Sequence, residues 1–293
     1  MKVLRSRARA KINLCLFVGP ARPDGLHHIV TLMDSLELCD DVTMTIGPPD
    51  LEDDDVVCPG VDGPNLAAAA LAAYREQTSW DGPPVRLEIA KRIPVAAGLA
   101  GGSADAAAAL RLAAEAAGLD DRRWLEDIAA GLGADVPSQI RGGLMLATGI
   151  GARLRPLSDQ LEYSVVVLPV GAELRAGDVY AEADRLGLGR DALGMARALT
   201  RVQAALSAES VLDRVHNDLQ DAARSLCPAI DGALEEALDS GADHAIVSGS
   251  GPTVLGLFIE DGHRDRAGEA HAMLSAAGRA PAAILTRPAA AAA

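Results

Sequence analysis

Apolar positions in the first fifty residues recur with the two-residue period of extended chain. Val3 to Val18 reads as one strand with the apolar centre Ile12-Asn13-Leu14-Cys15-Leu16-Phe17-Val18, and a second alternating stretch runs from Ile29 to Ile46. The first ends at a turn cluster, Gly19-Pro20-Ala21-Arg22-Pro23-Asp24-Gly25, and Pro48 to Asp55 reads as an acidic loop. Asn65 is placed to cap an alanine-rich helix that ends near Arg75, and Val85 to Ile89 alternates as a strand leading to Lys91-Arg92-Ile93-Pro94. A glycine-rich loop then feeds a second alanine-rich helix. Ser103 is its natural N-cap, Asp105 falls in the first turn where a carboxylate complements the dipole, and Gly118 is the stop. A helix from about Trp124 to Gly131 leads into Gly133-Ala134-Asp135-Val136-Pro137, and Arg141 to Leu154 reads as strand punctuated by glycine.

A composition shift at Arg155 to Glu162 marks a candidate boundary, dividing the chain into residues 1–158 and 159–293. Beyond it the pattern predicts a strand at Ser164–Pro169, helices across about 178–238, and strands at His244–Val247 and Val254–Ile259. An amphipathic helix follows from about Asp265 to Ala277, then a short strand at Ala283–Leu285. This β-α-β-β-α-β order suggests a small split-βαβ domain. The alanine tail, Ala289 to Ala293, is low in complexity and receives no role.

At 293 residues and 49% hydrophobic content, the chain has material for two domains with real cores. No apolar run approaches the ~18 residues of a membrane span, and the basic start is not followed by a signal-like apolar block, so the expectation is a cytoplasmic protein with no membrane partner. The net charge of −14 argues against a sequence-independent grip on nucleic acid. An acidic chain can still bind anions through oriented backbone N–H groups. Four cysteines (Cys15, Cys39, Cys58, Cys227) without C-x-x-C spacing predict free thiols, and the histidines form no metal-ligating pair. Oligomeric state stays unassigned.

Five segments could carry chemistry. Gly98-Leu99-Ala100-Gly101-Gly102-Ser103 opens a helix and forms either an anion-binding nest or a tight packing turn. Lys11, one of only three lysines, lies two residues from Asn13 on one face of the first strand, with Ile12, Leu14 and Leu16 on the other. Asp135 sits at a sharp turn, where an aspartate serves either chemistry or capping. Asp24-Gly25-Leu26-His27-His28 is a turn with paired imidazoles, and Ser248-Gly249-Ser250-Gly251-Pro252-Thr253 joins two strands.

Taken in order, A-K-I-N at 10–13, D-G-x-H at 24–27, P-x-x-x-G-L-x-G-G-S at 94–103, G-A-D-V-P at 133–137 and S-G-S-G at 248–251 resemble the GHMP small-molecule kinase family. Gly63-Pro64-Asn65-Leu66, Lys91-Arg92-Ile93-Pro94 and His216-Asn217-Asp218-Leu219 extend the likeness, which spans about residues 8–259. The resemblance implies an α+β, two-domain GHMP kinase fold. It would have an N-terminal ribosomal-protein-S5-domain-2-like domain, a C-terminal ferredoxin-like domain and the active site between them. It also implies ATP with Mg²⁺, and a small cytidylyl-polyol substrate. On this likeness Pro94, Gly98, Leu99, Ala100, Gly101, Gly102 and Ser103 would cradle the ATP phosphates, with Asn65 and Lys91 on the adenosine side. Asp135 would be the base at the acceptor hydroxyl, with Lys11 beside it to stabilise developing charge. Asn13, His27 and Tyr180 would bind the cytidylyl acceptor, and Ser248, Gly249 and Gly251 would shape that end. Metal ligands stay unassigned, with Ser103 and Asp105 as candidates.

The chain departs from the family where Leu26 replaces an aromatic residue, and where Ala96, Ala97 and Ala100 replace loop glycines. Methyl groups there are compatible with the loop if φ stays negative. Leu26 leaves open a kinase for a different polyol or isoprenoid precursor. A nucleotide-binding relative without catalysis is the remaining alternative, disfavoured because Lys11 and Asp135 are both present.

Overall fold

The computed structural model describes residues 2–119, 121–158, 161–207, 210, 212–259 and 261–289. Residues 159 and 160, at the expected boundary, and 290–293 of the alanine tail lie outside the described residues. The first two apolar stretches form one long antiparallel hairpin of two twenty-residue strands, β1 (Lys2–Ala21) and β2 (His27–Ile46). The turn is later and tighter than the glycine-proline cluster suggests. Gly19 and Pro20 stay extended, and the chain reverses over Arg22–Leu26, where the Arg22 N–H donates to the Leu26 carbonyl at 2.8 Å.

The pairing of β1 with β2 slips at Arg9/Lys11, again at Asn13/Cys15, and near the turn. The first slip adds two residues to β2, and each of the other two adds one residue to β1, which re-aims the side chains beyond it. The second corrects the expected two-faced strand. Ile12 and Leu14 enter one core, whereas Leu16 is turned to another face and joins Lys11 and Asn13 along a common cavity.

Because β2 is so long, two strands share its outer edge. β4 (Val85–Ala90) pairs with Asp41–Ile46, and β5 (Met145–Gly149) pairs with Ile29–Met33. β3 (Asp55–Val57) and β6 (Arg153–Pro156) flank these. Helices α1 (Leu66–Thr78), α2 (Gly101–Ala117) and α3 (Arg122–Ala130) close one core with Leu4, Val42, Met44 and Leu87. The alanines of α2, from Ala106 to Ala109, are fully buried, so small side chains let this helix lie close to both β1 and α1. The glycine-punctuated strand expected from Arg141 to Leu154 is found as β5 and the start of β6, and Arg141 itself ends a short helix, α4 (Val136–Arg141), whose first turn accepts Pro137.

In the second half, β7 (Ser164–Leu168), β9 (His244–Val247), β10 (Val254–Phe258) and β11 (Ile284–Thr286) form an antiparallel sheet in the order β11-β7-β10-β9. Helices α5 (Ala176–Leu186), α6 (Ala192–Ser207), α7 (Gln220–Leu226), α8 (Ala229–Asp239) and α9 (His263–Ala276) complete a ferredoxin-like arrangement. One two-residue strand, β8 (His216–Asn217), leaves this half to pair in parallel with Cys15 and Leu16 of β1. The far end of the hairpin is thus shared. Ile12, Leu14, Phe17 and Leu32 pack on Val165, Val167 and Leu257, while Leu16 and Val18 pack with Leu219 and Val247. The four cysteines are free, and no helix among the described residues is long and apolar enough to cross a membrane.

Candidate active site

The irregular register of β1 presents Lys11 and Asn13 to the cavity, and a chain of hydrogen bonds fixes them. Lys11 Nζ donates to Asn13 Oδ1 at 2.9 Å, Asn13 Nδ2 donates to Thr31 Oγ1 at 2.7 Å, and that hydroxyl donates to the Cys15 carbonyl at 2.7 Å. Lys11 Nζ lies 3.6 Å from Asp135 Oδ2. Asp135 occupies the N-cap position of α4, yet its side chain makes no capping bond; its backbone carbonyl instead accepts the Ser138 hydroxyl at 2.7 Å. The carboxylate is therefore not spent on the helix, and at 41% side-chain exposure it can be reached from the cavity.

The glycine loop meets this pair through the backbone, with the Lys11 N–H donating to the Leu99 carbonyl at 3.1 Å. Gly98 has φ +71°, and a Cβ there would stand 2.4 Å from the Ser248 carbonyl oxygen and 2.9 Å from that of Gly251. Only glycine fits where these two loops touch, and Ser248 Oγ closes the contact by donating to the Gly98 carbonyl at 3.1 Å. A Cβ on Gly101 would press on Ile93 and Lys91, whereas one on Gly102 would meet nothing within 4 Å, because Gly102 faces open cavity.

Two expectations for this loop are corrected. The N-cap of α2 is Ala100, not Ser103, so the first turn carries no capping side chain. Ala96 and Ala100 both have φ +54°, contrary to the negative φ expected for alanine; the sharp path around Gly98 imposes the left-handed region on both.

Asp105 also differs from expectation. It is not a first-turn dipole partner but a buried carboxylate bound to Lys91, whose Nζ donates to Asp105 Oδ2 at 2.7 Å and to Asp40 Oδ2 at 2.5 Å. Asp40 is wholly buried and also accepts the Arg92 and Ile93 N–H groups. Burial pushes the Asp105 carboxyl up to about 7, against the pull of the Lys91 ammonium. Asp105 Oδ1 has no partner. A carboxylate already engaged by an ammonium fits poorly as a cation ligand, and no cluster of three or more His, Cys, Asp or Glu suited to a metal occurs among the described residues. The Ser103 hydroxyl, at the cavity, makes no hydrogen bond to a described residue. Asn65 lines the same end, its Oδ1 capping α1 by accepting the Ala67 N–H at 2.8 Å.

At the opposite end, the His27 ring lies 4.9 Å from that of Tyr180, tilted by 35°. His27 Nε2 is 3.0 Å from Asp184 Oδ1, one turn along α5 from Tyr180. Burial, and then the charge of Asp135, push the Tyr180 phenol up to about 12, so it stays protonated. Leu26 is half exposed at the rim. A Cβ on Gly249 would lie 3.2 Å from Asn13 Oδ1 and 4.0 Å from Lys11 Nζ, so this loop abuts the central pair.

These groups line one cavity of about 810 Å³, which runs from Asn65 and Lys91 past Gly102 and Lys11 to His27 and Tyr180. Among the candidates from sequence, Leu99 and Ser248 do not line it. The Leu99 side chain is core, and Ser248 is fully buried behind Gly98. Sequence reasoning missed Asp40, Asp184, Thr31 and the role of Asn217. The Asn217 Nδ2 donates to the Val247 carbonyl at 2.9 Å and to that of Gly249 at 2.7 Å, holding the last glycine loop from below. An aspartate within the apolar alternation of β2 was the one visible signal for Asp40; the others depend on contacts distant in sequence.

The GHMP kinases N terminal domain family matches residues 65–145, and the GHMP kinases C terminal family matches residues 195–279. The chain belongs to the GHMP kinase family. It is 40% identical over 287 residues to 4-diphosphocytidyl-2-C-methyl-D-erythritol kinase of Nocardioides sp., covering 93% of each chain. It is likewise 40% identical over 269 residues to the protein of the same name from Streptomyces avermitilis, covering 86% of each. A crystal structure of 4-(cytidine 5'-diphospho)-2C-methyl-D-erythritol kinase superposes with a TM-score of 0.76 at 31% identity, over 98% of this chain and 100% of that one. The fold is shared more widely, as with L. major mevalonate kinase at a TM-score of 0.74 and 15% identity.

Proposed function

We propose that this chain is an ATP-dependent kinase that phosphorylates the 2-hydroxyl of 4-diphosphocytidyl-2-C-methyl-D-erythritol, in the non-mevalonate route to isoprenoids. The observation that carries the reading is the Lys11–Asp135 pair, 3.6 Å apart, in one cavity between a glycine-built helix N-terminus and the His27–Tyr180 pocket. The uncapped first turn of α2 and the open face of Gly102 suit the ATP phosphates, which gain from the helix dipole and the free N–H groups. The acceptor hydroxyl, held against Asp135, gives its proton to that carboxylate as its oxygen attacks the γ-phosphorus. Lys11, aimed by Asn13 and Thr31, stabilises the charge on the transferred phosphoryl oxygens. Mg²⁺ held with the nucleotide would supply neutralisation of phosphate charge; no metal-suited cluster of three or more His, Cys, Asp or Glu occurs among the described residues, and Ser103 is the hydroxyl that lines the cavity beside the glycine loop. The reaction draws on cytosolic ATP.

Incubation with Mg-ATP and the cytidylyl polyol, followed by ³¹P NMR, tests the reading. ADP and a new phosphomonoester on the 2-hydroxyl are expected; bound ATP with no such ester would overturn it. Leu26, aliphatic at the pocket rim, favours a second reading in which the acceptor is a different polyol, and turnover of such a compound alone would establish it.

A further inference from the structure

The acceptor pocket holds a device that the reaction itself does not require. His27 is buried, and its Nε2 lies 3.0 Å from Asp184 Oδ1. A carboxylate can only accept, so Nε2 carries the hydrogen of this bond. In the neutral imidazole, Nδ1 is then left as a bare acceptor. His27 lines the cavity, and its Nδ1 makes no hydrogen bond to a described residue. Tyr180 and Asp184 stand four residues apart on α5, so one helix face supplies both the ring against His27 and the carboxylate that orients it.

Resting on the function proposed above, we infer that Asp184 is a positioning residue that sets the base preference of the pocket by fixing the Nε2–H tautomer of His27. Cytosine offers an exocyclic amine, a donor, where uracil offers a carbonyl oxygen, an acceptor. An Nδ1 lone pair accepts from the first and repels the second. Without Asp184 either ring nitrogen can carry the hydrogen, and an Nδ1–H serves uracil as well as Nδ1 serves cytosine. The pocket would then lose its preference while keeping its shape.

The test uses the full chain at pH 8, with Asp184→Ala and Asp184→Asn, and measures kcat and KM for the cytidylyl polyol and for the same polyol carrying a uridylyl group. Asp184→Ala should raise KM for the cytidylyl compound about tenfold, with a much smaller change in kcat and in KM for ATP. The cytidylyl-to-uridylyl ratio of kcat/KM should fall toward one. Asp184→Asn should restore much of that ratio, since its amide oxygen still accepts from Nε2–H. An equal loss toward both compounds, with the ratio unchanged, would overturn the inference. The ¹⁵N chemical shifts of the His27 ring, read without substrate, provide a check independent of turnover. An Nε2–H tautomer in the wild type that becomes mixed in Asp184→Ala supports the assignment, and an Nδ1–H wild type overturns it. If the wild type turns over neither compound, the functional reading falls, and the ¹⁵N result still decides whether Asp184 sets the tautomer.

Discussion

The two ends of the cavity are built from different materials. At the end proposed for the nucleotide the lining is mostly backbone: the first turn of α2, the open face of Gly102, and the Gly98 carbonyl held by Ser248. At the end proposed for the acceptor it is side chains, namely His27, Tyr180, Asp184 and Leu26. A backbone surface is indifferent to most side chains but intolerant where two main chains touch, as at Gly98. It absorbs alanine at positions 96 and 100 only by forcing both into the left-handed region, at a cost of about 1–2 kcal/mol per residue. A side-chain surface can be retuned one residue at a time, so specificity belongs at that end. Lys11 and Asp135 stand between the two, fixed by β1 and α4.

The comparison can be broken at its centre first. Asp135→Asn should lower kcat by ~10²–10⁴-fold while leaving both substrates bound, the usual loss on removing a general base; a kcat within a few-fold of wild type would remove Asp135 from that role. Next, the nucleotide end separates two kinds of glycine. Gly98→Ala drives a methyl group to 2.4 Å from the Ser248 carbonyl, so thermal unfolding and turnover should both fall sharply. Gly102→Ala meets no atom within 4 Å, so its melting temperature should hold while KM for ATP rises. Equal melting losses in the two variants would show that the cradle is mere packing. At the acceptor end, Tyr180→Ala should raise KM for the cytidylyl compound by about 1–3 kcal/mol equivalent, the scale of base–aromatic stacking, and leave KM for ATP alone. An unchanged KM would make Tyr180 a packing residue. The smallest effect is Ala100→Gly, which relieves a positive φ and should stabilise the fold by up to ~1 kcal/mol net of the added freedom of the unfolded chain. A lower melting temperature would contradict the strain.

The parts of the fold legible in sequence were those with local causes. Alternation gave both long strands, Asn65 capped its helix as its position suggested, and Gly118 ended α2 in the left-handed conformation. What escaped depended on partners far away. Nothing near Lys91 announces that Asp40 and Asp105 will meet it, and nothing near Asn217 announces the loop it holds more than thirty residues later. Ser103 has the right chemistry for a cap, but the glycine loop enters α2 three residues earlier, so Ala100 takes the position. Simple alternation likewise placed Leu16 on the wrong face, because the register slip at Asn13/Cys15 intervenes. Site residues were legible as types in order; the bonds that aim them were not.

The division of labour is tested most directly by coupled ADP release from Mg-ATP with two acceptors, the cytidylyl polyol and the same polyol without its cytidylyl group. Turnover confined to the cytidylyl compound is the predicted result, since the backbone end is indifferent to the acceptor and the His27–Tyr180 end is not. Equal turnover of both would contradict the account, leaving the side-chain pocket without a part in choosing the substrate.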